Sequence, residues 1–191
     1  MSERRISASE GSEYISAFGN ENILRNHIVY FEEKVKEEFA SYDEEHFPPF
    51  HHFPNFSAWL RLTTEYTCNK ALWRLHSIQG NWKEINRLKF YQIIDRIYEI
   101  IKQEAENGRI KISESDDKKM KEALCFVFEL RHSFQHGGLP NPMRKEKCKI
   151  DEREIIRMLS PKNFEKLKEK FRDANNLLEL LPKKTIIVEV K

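Results

Sequence analysis

Apolar residues recur at helical spacing through most of this chain. Residues 21–42 place Leu24, Ile28, Phe31, Val35, Phe39 and Tyr42 on one face, the stripe of a helix that packs on a core. Glu32 and Lys36 form an i,i+4 pair on its outer side, and Glu32, Glu33, Glu37 and Glu38 read as a solvated acidic face. A second helix is expected over about residues 55–78, carrying Trp59, Tyr66, Trp73 and Leu75 and ending at Gly80-Asn81. The third spans about 82–106, with Phe90, Ile94, Ile97 and Ile101 in register, and stops at Asn107-Gly108. These aromatic and aliphatic side chains read as core. Residues 109–113 lead to a fourth helix, which Ser113 or Ser115 caps ahead of Asp116 and Asp117. A short helix over 152–159 follows. Ser160-Pro161 then opens a longer one bearing Phe164, Leu167, Phe171, Ala174, Leu178 and Leu181. Residues 185–191, Thr-Ile-Ile-Val-Glu-Val-Lys, form the one convincing strand. Its partner is a second copy, the bundle surface, or nothing.

Two stretches break the pattern. Residues 2–11 are polar, small and unpatterned, and read as a loose terminus. Residues 46–54, His-Phe-Pro-Pro-Phe-His-His-Phe-Pro, cannot be helical, because prolines remove donors and restrict their neighbours. The plain reading is a rigid loop with its aromatics tucked onto the bundle. The functional ones are a metal site at His46, His51 and His52 or a loop that binds a partner, and the lack of acids or cysteines at ligand spacing disfavours metal. The expected organisation is a flexible N-terminus over 1–12, one helical-bundle domain over 13–182, and a strand or tail over 183–191. The fold class is all-α, a bundle of about five to six helices with a short C-terminal strand.

Composition agrees with that class. The 191 residues suffice for one domain with a genuine core. A charged fraction of 34%, 12% aromatics and only six glycines suit helices with ion-paired surfaces. The net charge of +2 excludes a polycation, so any nucleic-acid contact must come from local patches. Cys68, Cys125 and Cys148 have no paired metal spacing, and their odd number favours a reducing, cytoplasmic setting. No apolar run approaches membrane-spanning length, and neither a membrane nor a cofactor is expected.

The fourth helix is unusual. Met120, Ala123, Leu124, Val127, Leu130 and Phe134 form one stripe, while Phe126 and Phe128 fill other sides, so it is apolar nearly all round and reads as central. Its end is Arg131-His-Ser-Phe-Gln-His136, stopped by Gly137-Gly138 and Pro140. Arg131 projects from within the stripe, and a guanidinium there needs an anion, a carboxylate or an interface cleft. His132 and His136 lie one turn apart on nearly the opposite face, beside Cys125.

Arg131 to His136 reads R-x4-H with a polar residue directly after the arginine, at the end of an apolar helix. This resembles the HEPN family of helical-bundle ribonucleases, whose signature is R-x4–6-H. The resemblance covers the motif closely and the rest of the chain as helical architecture. It implies a HEPN-like bundle and a metal-independent endoribonuclease. It further implies a homodimer with a composite active site at the interface, where Arg131 holds the scissile phosphate, His136 is the general acid/base and His132 orients the pocket. The setting it implies is toxin–antitoxin or antiviral defence, with an antitoxin or other regulatory protein as partner. Some members carry a tyrosine two places after the histidine, where an antitoxin modifies them; here that place is Gly138.

The residues suit this chemistry. The RNA 2′-hydroxyl attacks the adjacent phosphate once deprotonated, leaving a 2′,3′-cyclic phosphate. An imidazole titrating near neutrality moves the proton, and a guanidinium neutralises charge developing on the phosphorane oxygens. On an ideal helix, Arg131 and His136 diverge by about 140°. They meet one phosphate only if the helix ends between them or a second chain completes the site. Arg144, Lys145, Lys147 and Lys149 form a basic loop that either tracks an RNA backbone or is merely solvated. Other readings stand beside this one. Arg131 could pair with a core acid such as Asp95 or Glu129, and the histidines could simply complement the helix dipole. The protein would then be a catalytically inactive HEPN-like interaction or RNA-binding module. An i,i+4 histidine pair could also bind zinc, though without the acidic base of H-E-x-x-H.

Overall fold

A computed structural model describes the backbone of residues 3–41, 53–80, 82–85, 87–136, 152–183 and 185–189. Side chains are described over 21–41, 53–80, 83–85, 87–132 and 153–183. The chain is mostly helical. Strand β1 (Glu3–Ser7) precedes helices α1 (Ala8–Ala40), α2 (Pro54–Gln79), α3 (Trp82–Ile85), α4 (Phe90–Glu106), α5 (Glu114–His136) and α6 (Glu152–Met158). A 3-10 turn (Pro161–Asn163), helix α7 (Phe164–Glu179) and strand β2 (Thr185–Glu189) complete the order. The strands run parallel, with Glu3 opposite Thr185 and Ser7 opposite Glu189.

Helix α1 begins earlier than the hydrophobic pattern suggests. It starts at Ala8, not near residue 21, and Glu3–Ser7 is extended where a loose end was expected. Gly11 and Gly19 weaken a helix by only about 1 kcal/mol each, which does not stop one. The acidic face of α1 is also more than solvated. The Glu38 carboxylate accepts the backbone N–H of Asn55 at 3.2 Å and of Phe56 at 3.0 Å. Helix α2 opens with Pro54 and has no cap from the side chain of Phe53, so an acid from the preceding helix serves its first turn. Glu32 meets Lys168 of α7 at 2.9 Å.

The expected third helix is two. Lys89 is extended (φ −71°, ψ 153°), and its N–H donates to Oε1 of Gln92 at 2.8 Å, which starts α4 afresh at Phe90. Arg96 ties the pieces together, reaching Glu84 of α3 at 2.7 Å and Gln79 of α2 at 3.0 Å. Gly80, at φ 90°, ends α2 in the left-handed region, its N–H returning to the His76 carbonyl at 3.0 Å.

Helices α2, α4, α5 and α7 enclose one core with the C-terminal half of α1. Its aromatic centre is Phe164, whose ring lies 4.8 Å from Trp59, 5.5 Å from Phe39 and 5.9 Å from Phe56. The isoleucines of α4 (Ile93, Ile94, Ile97, Ile100 and Ile101) close one side. Tyr66 and Trp73, expected in the core, lie at its perimeter, and the Tyr66 hydroxyl donates to Glu21 at 3.2 Å. Helix α5 is central as its sequence suggests: Ala123 through Leu130 are buried without exception, Glu129 included. Ser113 begins it, its Oγ accepting the Asp116 N–H at 3.1 Å.

Candidate active site at the end of helix α5

Arg131 follows directly on that buried run, one residue after Leu130 at 1% exposure. The helix therefore carries the guanidinium out of the core at a fixed point. Its side chain keeps 27% of its surface exposed, and its Nε lies 3.5 Å from Oε2 of Glu65 on α2. Nε itself is inaccessible to solvent and donates no hydrogen bond at that distance. The pair is thus an ion pair without a direct hydrogen bond at Nε.

Cys68 lies one turn along α2 from Glu65, on the same side of that helix. Burial pushes its thiol well above the usual thiol range, the Arg131 charge opposes this, and Glu65 adds to it. Cys68 is therefore a neutral thiol beneath the ion pair, neither a nucleophile nor a ligand. Cys125 is buried as well, at 2% exposure.

The acid that meets Arg131 is neither Asp95 nor Glu129. Asp95 is exposed on α4, and Glu129 is buried two residues before the arginine. The sequence does not single out Glu65: on the helical wheel Arg61, Asn69 and His76 lie within about 40° of it, beside the apolar Leu72.

His132 is half-buried on α5. The backbone of α5 is helical through His136, whose side chain lies outside the described residues. The helix thus does not end between Arg131 and His136. The basic loop (Arg144, Lys145, Lys147, Lys149), the Gly137-Gly138 stop and the histidines at 46, 51 and 52 all lie outside the described residues. Among the described residues, no group of three or more His, Cys, Asp or Glu is placed to hold a metal ion. No helix among them is long and apolar enough to cross a membrane.

No family model, curated protein or solved structure matches this chain.

Proposed function

We propose that this chain is a metal-independent endoribonuclease of HEPN type, a HEPN-like bundle with a short C-terminal strand that acts as a homodimer. The observation that supports it most is the emergence of Arg131 from eight consecutive buried residues, about one-quarter exposed and backed by one carboxylate, on a helix that continues to His136. A guanidinium fixed by a core has paid its ordering cost before substrate arrives, which favours stabilising a developing phosphorane charge. His136 moves the protons and His132 orients the pocket. Because α5 is continuous, one phosphate is served by Arg131 and His136 from different chains, and two histidines then divide base and acid work. Arg144, Lys145, Lys147 and Lys149 track the RNA backbone. The protein works in the cytoplasm as a toxin or antiviral effector under an antitoxin or other regulator.

A second reading has one observation in its favour. Glu65 already supplies Arg131 with a carboxylate, as a purely structural arginine requires. On that reading the chain is an inactive interaction or RNA-binding module.

Purified protein incubated with mixed RNA in EDTA, beside His136→Ala and Arg131→Ala, separates the two. Cleavage by the wild type alone, with 2′,3′-cyclic phosphate ends, is the expected result. A folded, dimeric and inert wild type would overturn the enzyme in favour of the module.

A further inference from the structure

We infer that Glu65 is a positioning residue for Arg131, holding the guanidinium by its Nε side so that its donors face an incoming phosphodiester; this rests on the ribonuclease reading. Three observations on the α2–α5 seam carry it. The closest approach of the pair is Nε to Oε2 at 3.5 Å, so the carboxylate sits at the inner edge of the guanidinium. That Nε is inaccessible while the side chain as a whole is 27% exposed, so the exposed surface lies elsewhere on Arg131. Cys68, the next group on that side of α2, stays a neutral thiol, so it supplies no second anion to saturate the arginine.

The chemistry follows from the donor count. A guanidinium carries five N–H donors in a rigid fork. An ion pair at 3.5 Å balances its charge and limits its rotation without consuming those donors. The terminal fork can then take two phosphate oxygens side by side. Without Glu65 the guanidinium keeps its charge but loses its orientation. The two effects separate kinetically. Removing a negative charge beside the phosphate strengthens ground-state attraction, whereas loss of alignment weakens stabilisation of the transition state.

Steady-state cleavage of a single-stranded RNA oligonucleotide by wild type, Glu65→Gln and Glu65→Ala tests this. Glu65→Gln keeps an acceptor oxygen but no charge, and its kcat is expected to fall about tenfold. Glu65→Ala falls about a hundredfold, and neither variant raises KM. Wild-type kcat in both variants, or a KM rise that accounts for the whole loss, overturns the positioning and leaves the ribonuclease reading standing. A second arm does not depend on cleavage. The Arg131 side-chain Nε–H signal in a ¹⁵N NMR spectrum is followed while single-stranded dT oligonucleotide, a phosphodiester with no 2′-hydroxyl, is added. A saturable shift in wild type whose amplitude falls in Glu65→Ala while its affinity does not weaken supports the positioning even if the wild type cuts nothing, an outcome that would sink only the ribonuclease reading. An unmoved Arg131 signal overturns the positioning. Because Glu65 is one-third exposed, the conservative glutamine variant is expected to fold, as its circular dichroism would show.

Discussion

The carboxylate of Glu38, near the end of helix α1, accepts the backbone N–H of Phe56 in the first turn of α2 at 3.0 Å. The same carboxylate takes the Asn55 N–H and its side-chain amide, each at 3.2 Å. It does for α2 what a local cap would do, and it also places a negative charge at the positive end of the helix.

Glu38→Ala should therefore destabilise the protein by about 1–2 kcal/mol, the usual cost of a lost cap. Glu38→Gln, which keeps the acceptor, should lose roughly half as much. Urea unfolding followed by circular dichroism measures both. An unchanged midpoint in Glu38→Ala would remove the cap from the account of α2.

Glu179 on α7 meets Lys70 at 2.6 Å, Arg74 at 2.8 Å and Lys183 at 3.3 Å. Partial burial pulls its carboxyl upward, but the hydrogen bond and charge of Lys70, joined by Arg74 and Lys183, outweigh it and hold it at about 2. The ordinary value in the unfolded chain is 4.5. A depressed folded value means stabilisation that is fully present above that ordinary value and is lost as pH falls toward 2. Glu179→Gln should flatten this part of the acid limb in a plot of stability against pH. Curves for the two proteins that stay parallel from pH 5 to pH 2 would contradict the assignment.

Cys68 and Cys125 are both buried, and burial raises the Cys68 thiol. In a Cys148→Ser background at pH 8, an aromatic disulfide reagent should label neither residue while the fold is intact. Labelling slower than that of a free thiol by about 10³-fold or more, and restored by denaturant, is expected, because reaction must wait for opening. Rapid native labelling of Cys68 would mean that the α2–α5 seam is open.

Phe164 touches the rings of Phe39, Phe56 and Trp59 and is 5% exposed. Phe164→Ala should cost about 3–5 kcal/mol, from lost transfer energy and the cavity left behind. Ile156→Ala, at a side chain 59% exposed, should stay within about 0.5 kcal/mol of wild type. Similar losses for the two would place the core elsewhere.

Elements whose signals are local were readable from sequence. The left-handed stop of α2 at Gly80 and the cap of α5 at Ser113 follow from single residue types, and α5 announced its central place by apolar residues on all sides. What escaped depends on tertiary partners. The break before α4 lies inside an apolar period that runs through it, and the helix starts afresh after the extended Lys89. Glu38 looked like one more surface acid, because its use depends on where the next helix begins. The sequence points to acids on α4 and α5 as mates for Arg131, and the partner stands on α2. Nothing in a sequence ranks acids by distance, and Glu65 shares its side of α2 with Arg61, Asn69 and His76.

Helix α5 is enclosed along Ala123–Leu130, and Arg131 follows immediately. An enclosed helix has no outward face on which harmless substitutions can accumulate. Ordinary enzymes keep some distance between the residues that hold them together and those that act, so drift can explore one while selection guards the other. On the ribonuclease reading proposed above, the two sets adjoin on one short stretch of chain. A change at Phe128 or Leu130 that the core tolerates by repacking still displaces the guanidinium beyond it. Over time, this stretch should vary as a block or hardly at all.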